Sequence, residues 1–160
     1  MTTPLVPILM GSRSDMAHAQ KIGAALAELG IAYEYRIGSA HKVPARALEI
    51  LRAYEADPRP KVYITIAGRS NALSGFTDAQ VAAPVIACPP VSSSFGGADI
   101  FSSLRMPSGV APAVVLEPAA AALLAAKIFS LSFSEIRAKV TALQAANRDK
   151  LLADDADVSG

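Results

Sequence analysis

Short apolar runs alternate with longer amphipathic ones along most of the chain. Residues 6–10 are apolar and end at Gly11, the pattern of a buried strand. Ile22, Leu26 and Leu29 then recur at helical spacing, and Gly30 stands just past the end of that helix. Residues 32–37 predict a second strand. Pro44 suits the first turn of the next helix, whose periodic face is Leu48, Leu51 and Tyr54 and which Pro58 and Pro60 close. Residues 61–67 are rich in β-branched and aromatic side chains and predict the third strand. A short helix over 74–81 and a strand over 84–88 follow, the latter broken by Pro89-Pro90. Beyond a Ser/Gly-rich loop over 92–97 come a short helix over 99–104, a turn over 106–109 and a fifth strand over 113–116. Residues 119–131 are apolar on nearly every side, which predicts a helix covered by the sheet on one side and by another subunit on the other. Ser134 opens a last helix to about Leu152, with Ile136, Val140, Leu143 and Leu151 on one stripe.

This alternation of strand and helix predicts an α/β fold: a single-domain, three-layer αβα sandwich around a parallel, flavodoxin-like sheet. The expected domain is 1–152, and 153–160 reads as a disordered acidic tail. In such a sheet the carboxyl ends of the strands share one edge, and ligands bind there. Three polar loops leave strands at that edge: 11–15, 39–42 and 68–75. Distant residues can therefore converge on one pocket.

Composition narrows the classes. Of the 160 residues, 52% are hydrophobic and only 18% charged, so extra burial in subunit contacts is expected. The net charge of +1, with no Lys/Arg block, argues against a nucleic-acid partner. Cys88 is the single cysteine, which excludes an internal disulfide and a multi-cysteine metal site. Residues 1–4 show no leader pattern, and the longest apolar run, 119–126, is too short to span a bilayer. A cytoplasmic protein without membrane attachment is the expectation.

The candidate chemistry lies in the three loops. Ser12, Ser14 and Asp15 can cap a helix. Alternatively, the serines and backbone N–H groups at a helix start can hold a phosphate, with Asp15 accepting from a sugar hydroxyl. The loop is neither a Walker A loop nor a dinucleotide fingerprint. His41 stands in Ser39-Ala40-His41-Lys42-Val43-Pro44 and is either structural or a general acid–base group, since an unperturbed imidazole titrates near neutrality. Gly68-Arg69-Ser70-Asn71 is either a capped turn or a polar cradle able to orient a carboxylate or CO2. His18 is expected on an exposed polar face, and Cys88 in the core without an adjacent base. One usable histidine and one cysteine cannot build a standard zinc site, so no metal is expected. The residues alone point to a small α/β protein that binds a phosphorylated small molecule and needs no cofactor.

Three stretches closely resemble the PurE family of purine biosynthesis, in its order and spacing: Met10-Gly11-Ser12-Arg13-Ser14-Asp15, Ser39-Ala40-His41-Lys42-Val43-Pro44 and Met106-Pro107-Ser108-Gly109. The loop Ala67-Gly68-Arg69-Ser70-Asn71-Ala72-Leu73-Ser74-Gly75 lacks the second histidine of the family's mutase branch and resembles the carboxylase branch, which includes a domain of the animal bifunctional enzyme. Lys42, Cys88-Pro89-Pro90 and residues 102–109 point the same way. The resemblance implies reversible carboxylation of 5-aminoimidazole ribonucleotide (AIR) by CO2 to the 4-carboxy product (CAIR), without ATP, biotin or metal. It implies His41 as the catalytic base and Ser12, Asp15, Ser39, Lys42, Gly68, Arg69, Ser70, Asn71 and Ser108 as substrate-binding residues. It also implies a homo-oligomer, an octamer or tetramer, with sites at subunit contacts. Three other readings compete: the mutase that acts on the carbamate of AIR, a non-catalytic protein that binds a purine intermediate, and a flavin-binding electron carrier, for which Phe76 and Phe95 are the nearest aromatics and poor support.

Overall fold

Alternate side chains of the first strand go to opposite sides of the sheet, and this sets the layering. Val6, Ile8 and Met10 join one core and Leu5 and Leu9 the other. The structure, a computed structural model, describes residues 3–159. Its five strands are β1 (Leu5–Met10), β2 (Ala32–Ile37), β3 (Tyr63–Ile66), β4 (Val85–Ala87) and β5 (Ala113–Val114). All pair in parallel, in the order β2-β1-β3-β4-β5. The helices are α1 (Met16–Glu28), α2 (Pro44–Glu55), α3 (Ala72–Asp78), α4 (Phe101–Leu104), α5 (Pro118–Phe129) and α6 (Ser134–Ser159). The first core packs α1, α5 and α6 on one face through Ala19, Ile22, Leu26, Ala125, Phe129, Ile136 and Val140. The second packs α2 and α3 on the other through Ile50, Leu51, Tyr54 and Leu73. This is the expected three-layer αβα sandwich.

The local rules explain where elements begin and end. Gly30 terminates α1 at φ 70°, a conformation that glycine alone adopts without strain. Gly23 lets α1 sit close over the edge strand, since a Cβ there would stand 2.7 Å from a Tyr33 ring carbon. Pro44 occupies the first turn of α2 as expected.

Some expectations need correction. α3 starts at Ala72 rather than 74, because Asn71 caps it. The apolar helix α5 is covered within its own chain, by α1 and by α6, so its composition alone does not require a second subunit. α6 continues through Ser159 rather than stopping near Leu152, so residues 153–159 of the tail expected to be disordered are helical, and Gly160 lies outside the described residues. Between Ser134 and Ser159 there is no glycine or proline to stop it, and alanine and leucine favour the helix. Its 26 residues span about 39 Å against about 18 Å for the 12 of α5, so its outer part overhangs its support. Leu143 and Leu151 are accordingly exposed, at 39% and 68%, and leave the buried stripe at Val140. Among the described residues no helix is long and apolar enough to cross a membrane.

Candidate active site

The loops that leave β1, β2, β3 and β4 are rooted in the sheet by backbone hydrogen bonds. The Gly11 N–H donates to the Ile66 carbonyl at 2.9 Å, the Gly38 N–H to Met10 at 2.9 Å and the Cys88 N–H to Thr65 at 2.8 Å. Above these roots lies a cavity of about 630 Å³, large enough for a nucleotide-sized ligand. Of the residues singled out in the sequence, Ser12, Asp15, Ser39, His41, Lys42, Gly68, Arg69 and Ser70 all line it.

The first loop is ordered by its own side chains. The Ser12 N–H donates to an Asp15 carboxylate oxygen at 3.0 Å, and Ser12 Oγ and Ser14 Oγ share a hydrogen bond of 2.6 Å. Two hydroxyls thus stand together just ahead of α1, while the carboxylate is turned onto the loop's own backbone. The second loop makes a tight turn: the Lys42 N–H donates to Ser39 Oγ at 3.2 Å and the Val43 N–H to the Ser39 carbonyl at 3.0 Å. That turn places His41 and Lys42 in succession at the cavity wall, both exposed. In the third loop Arg69 has φ 61°, the one non-glycine in the left-handed region among the described residues. With Lys42 and Arg69 on its walls against the single carboxylate of Asp15, the cavity suits an anionic ligand.

Two expected site residues stand elsewhere. Asn71 is only 4% exposed and faces inward: its side-chain oxygen accepts from the Ser74 N–H at 3.2 Å, and its Nδ2 donates to Ser103 Oγ at 3.0 Å. It caps α3 and ties α3 to α4, so both halves of its amide are committed. Ser108 is exposed in the turn before β5, next to Val110, whose N–H donates to the Pro107 carbonyl. It precedes a strand instead of following one, which puts it at the opposite edge of the sheet.

Two features escaped the sequence reading. The wall formed by Pro90, Val91, Ser92 and Ser93 belongs to the loop after β4. The Pro89-Pro90 break was its signal, because the rule that placed the other loops at this edge applies to β4 as well. Ser14, singled out in the sequence beside Ser12, lines the cavity too. Finally, His18 is half-buried rather than exposed, with Nε2 3.4 Å from Cys88 Sγ. Burial, reinforced by the Lys21 cation, lowers the His18 pKa despite the contact with Cys88. Cys88 therefore has an adjacent base after all. It is no nucleophile nonetheless: burial, with the Glu117 carboxylate adding to it, pushes the thiol up to about 12, and the Sγ donates to the Leu116 carbonyl at 3.6 Å.

A family model described as AIR carboxylase matches residues 5–150. A phosphoribosylaminoimidazole carboxylase of Treponema denticola is 60% identical over 152 residues, covering 95% of this chain and 96% of that protein. The human bifunctional phosphoribosylaminoimidazole carboxylase/succinocarboxamide synthetase is 45% identical over 139 residues, covering 84% of this chain but 33% of its own length. The crystal structure of Treponema denticola PurE superposes with a TM-score of 0.96 at 58% identity, over 98% of this chain and 99% of that one. With the matched fold, and with sequence identity along nearly its whole length, the chain belongs to the AIR carboxylase (PurE) family of purine biosynthesis.

Proposed function

We propose that this protein is a direct AIR carboxylase that converts AIR and CO2 to CAIR reversibly and without ATP. The observation that carries the reading is the cavity wall. One imidazole, His41, shares it with Lys42, Arg69 and Ser70, and the 67–75 loop contains no second histidine. AIR's C4 is an enamine-like carbon, nucleophilic enough to attack CO2 unaided. The new bond leaves C4 tetrahedral, carrying both the carboxylate and its original proton. His41 takes that proton, and the C–H electron pair returns to the ring to restore aromaticity. In the reverse direction the imidazolium returns the proton to C4, the C4–carboxylate bond breaks and CO2 leaves. Lys42, Arg69 and Ser70 orient CO2 and stabilise the carboxylate that develops. Ser12, Ser14 and the start of α1 receive the phosphate, and Asp15 and Ser39 accept from the ribose hydroxyls. In this reading Asn71 acts only through the position of its loop.

Val91, on the cavity wall, is 76% exposed, and Phe95 (60%) and Phe101 (69%) in the segment that follows it are exposed as well. They support a homo-oligomer in which a neighbouring copy covers this rim.

The test is absorbance-monitored turnover with AIR and dissolved CO2/bicarbonate, without ATP, beside a parallel reaction supplied with the carbamate of AIR. CAIR formed in proportion to CO2 is the expected result. Conversion of the carbamate alone would make the protein a mutase. In His41→Asn, CAIR formation and decarboxylation should both fall by about 10²- to 10⁴-fold while AIR still binds. Unaltered turnover in that variant would remove His41 from the mechanism.

A further inference from the structure

Of the stretches that resemble the carboxylase branch, the function proposed above uses 67–75 but not 102–109. In the fold they form a single device. The Arg69 N–H donates to an Asp99 carboxylate oxygen at 3.2 Å, and two residues on the Asn71 N–H donates to Ser102 Oγ at 2.9 Å. The Ser102 hydroxyl donates in turn to the Asp99 carbonyl at 2.8 Å, with the Arg69 carbonyl 3.4 Å away. The backbone is therefore gripped on both sides of Ser70, the residue between the two donors. Arg69, the first of them, is the one held at φ 61°. A side-chain-bearing residue keeps that conformation only when its surroundings impose it.

We propose that Asp99 and Ser102 are positioning residues for the reaction: their hydrogen bonds to the Arg69 and Asn71 amides hold the loop so that Ser70 and the Arg69 guanidinium face the carboxyl group being transferred. This rests on the carboxylase reading of the cavity. Neither residue hydrogen-bonds to the Ser12–Asp15 loop, which the same reading gives to the phosphate. The clamp therefore acts on the carboxyl end of the substrate pair and not on AIR binding. The 67–75 loop thus depends on hydroxyl and carboxylate partners from the segment 99–103.

The test compares Asp99→Ala and Ser102→Ala with Asp99→Asn, whose amide oxygen still accepts from the Arg69 N–H. Both residues are only partly buried, so the variants should fold. Backbone hydrogen exchange across 68–71 should speed up by about tenfold in each alanine variant and stay near the wild-type rate in Asp99→Asn. In steady-state carboxylation kcat should fall by about 10- to 100-fold in the alanine variants, with the KM for AIR within about twofold, and Asp99→Asn should recover most of it. Unchanged exchange at the Arg69 and Asn71 amides would overturn the clamp. So would a raised KM for AIR at unchanged kcat, or a drop in melting temperature with no effect on kcat. If the wild-type protein forms no CAIR from CO2, the carboxylase reading fails separately, and the exchange data still decide whether the loop is clamped.

Discussion

Replacing Asn71 with alanine removes two interactions at once, and their sum can be worked from the geometry. The side-chain oxygen caps α3 by accepting from the Ser74 N–H at 3.2 Å. Loss of such a cap costs about 1 kcal/mol. Its Nδ2 donates to Ser103 Oγ at 3.0 Å, and Ser103 is only 2% exposed, so water cannot take over that bond. Leaving a buried polar group without its partner costs about 1–2 kcal/mol more. The total, about 2–3 kcal/mol, corresponds to a fall in melting temperature of about 4–12 °C for a chain of this size. Asn71→Asp keeps the capping oxygen and can accept from the Ser103 hydroxyl, so it should recover most of the loss. Thermal and guanidinium unfolding of the purified variants, measured beside their turnover, decides the matter. An unshifted unfolding curve in Asn71→Ala, accompanied by lost carboxylation, would refute the reasoning, because the amide would then be serving the substrate and not the fold.

Arg69→Gly and Arg69→Ala both remove the guanidinium and should both lose turnover, but their stabilities should differ by sign. At φ 61° alanine bears a strain of about 1–2 kcal/mol that glycine escapes, so the glycine variant should unfold at higher denaturant than the alanine variant, the reverse of the order in ordinary backbone. A more stable alanine variant would mean that this residue is not left-handed. His18 supplies a pH dependence. Burial holds its folded-state pKa below the ordinary 6.5, so in the interval below 6.5 the unfolded chain binds the extra proton. Stability is therefore complete above pH 6.5 and is lost as the pH falls through the folded value. His18→Gln should flatten the melting temperature between about pH 7 and 5. An equal slope in variant and wild type would exclude this origin.

The sheet and its ligand edge were legible because they depend on local patterning. Residues 6–10 and 61–67 could only be strands in an apolar interior, and Pro44 and Gly30 punctuate helices by their own backbone chemistry. Convergence of His41, Ser12 and Arg69 follows from strand direction alone. What could not be read depends on partners far away in the chain. Nothing local tells whether the Asn71 amide meets a ligand or a serine 32 positions on. The His18–Cys88 contact joins residues 70 positions apart, so an apparently polar helix face proved to be partly covered. The length of α6 is a third kind of miss: acidic side chains suggested disorder, while the absence of glycine and proline let the helix run on.

The bonds from Gly11 to Ile66 and from Gly38 to Met10 make the floor of the cavity a property of the backbone, with its width set by strand spacing at about 4.8 Å per strand. No side-chain substitution alters that ruler. Only the roof, made of the loop tips, is free to vary. A scaffold of this kind separates where a reaction happens from which reaction it is. Loop residues can then be rewritten, and the chemistry with them, while the hydrogen-bonded platform beneath stays intact.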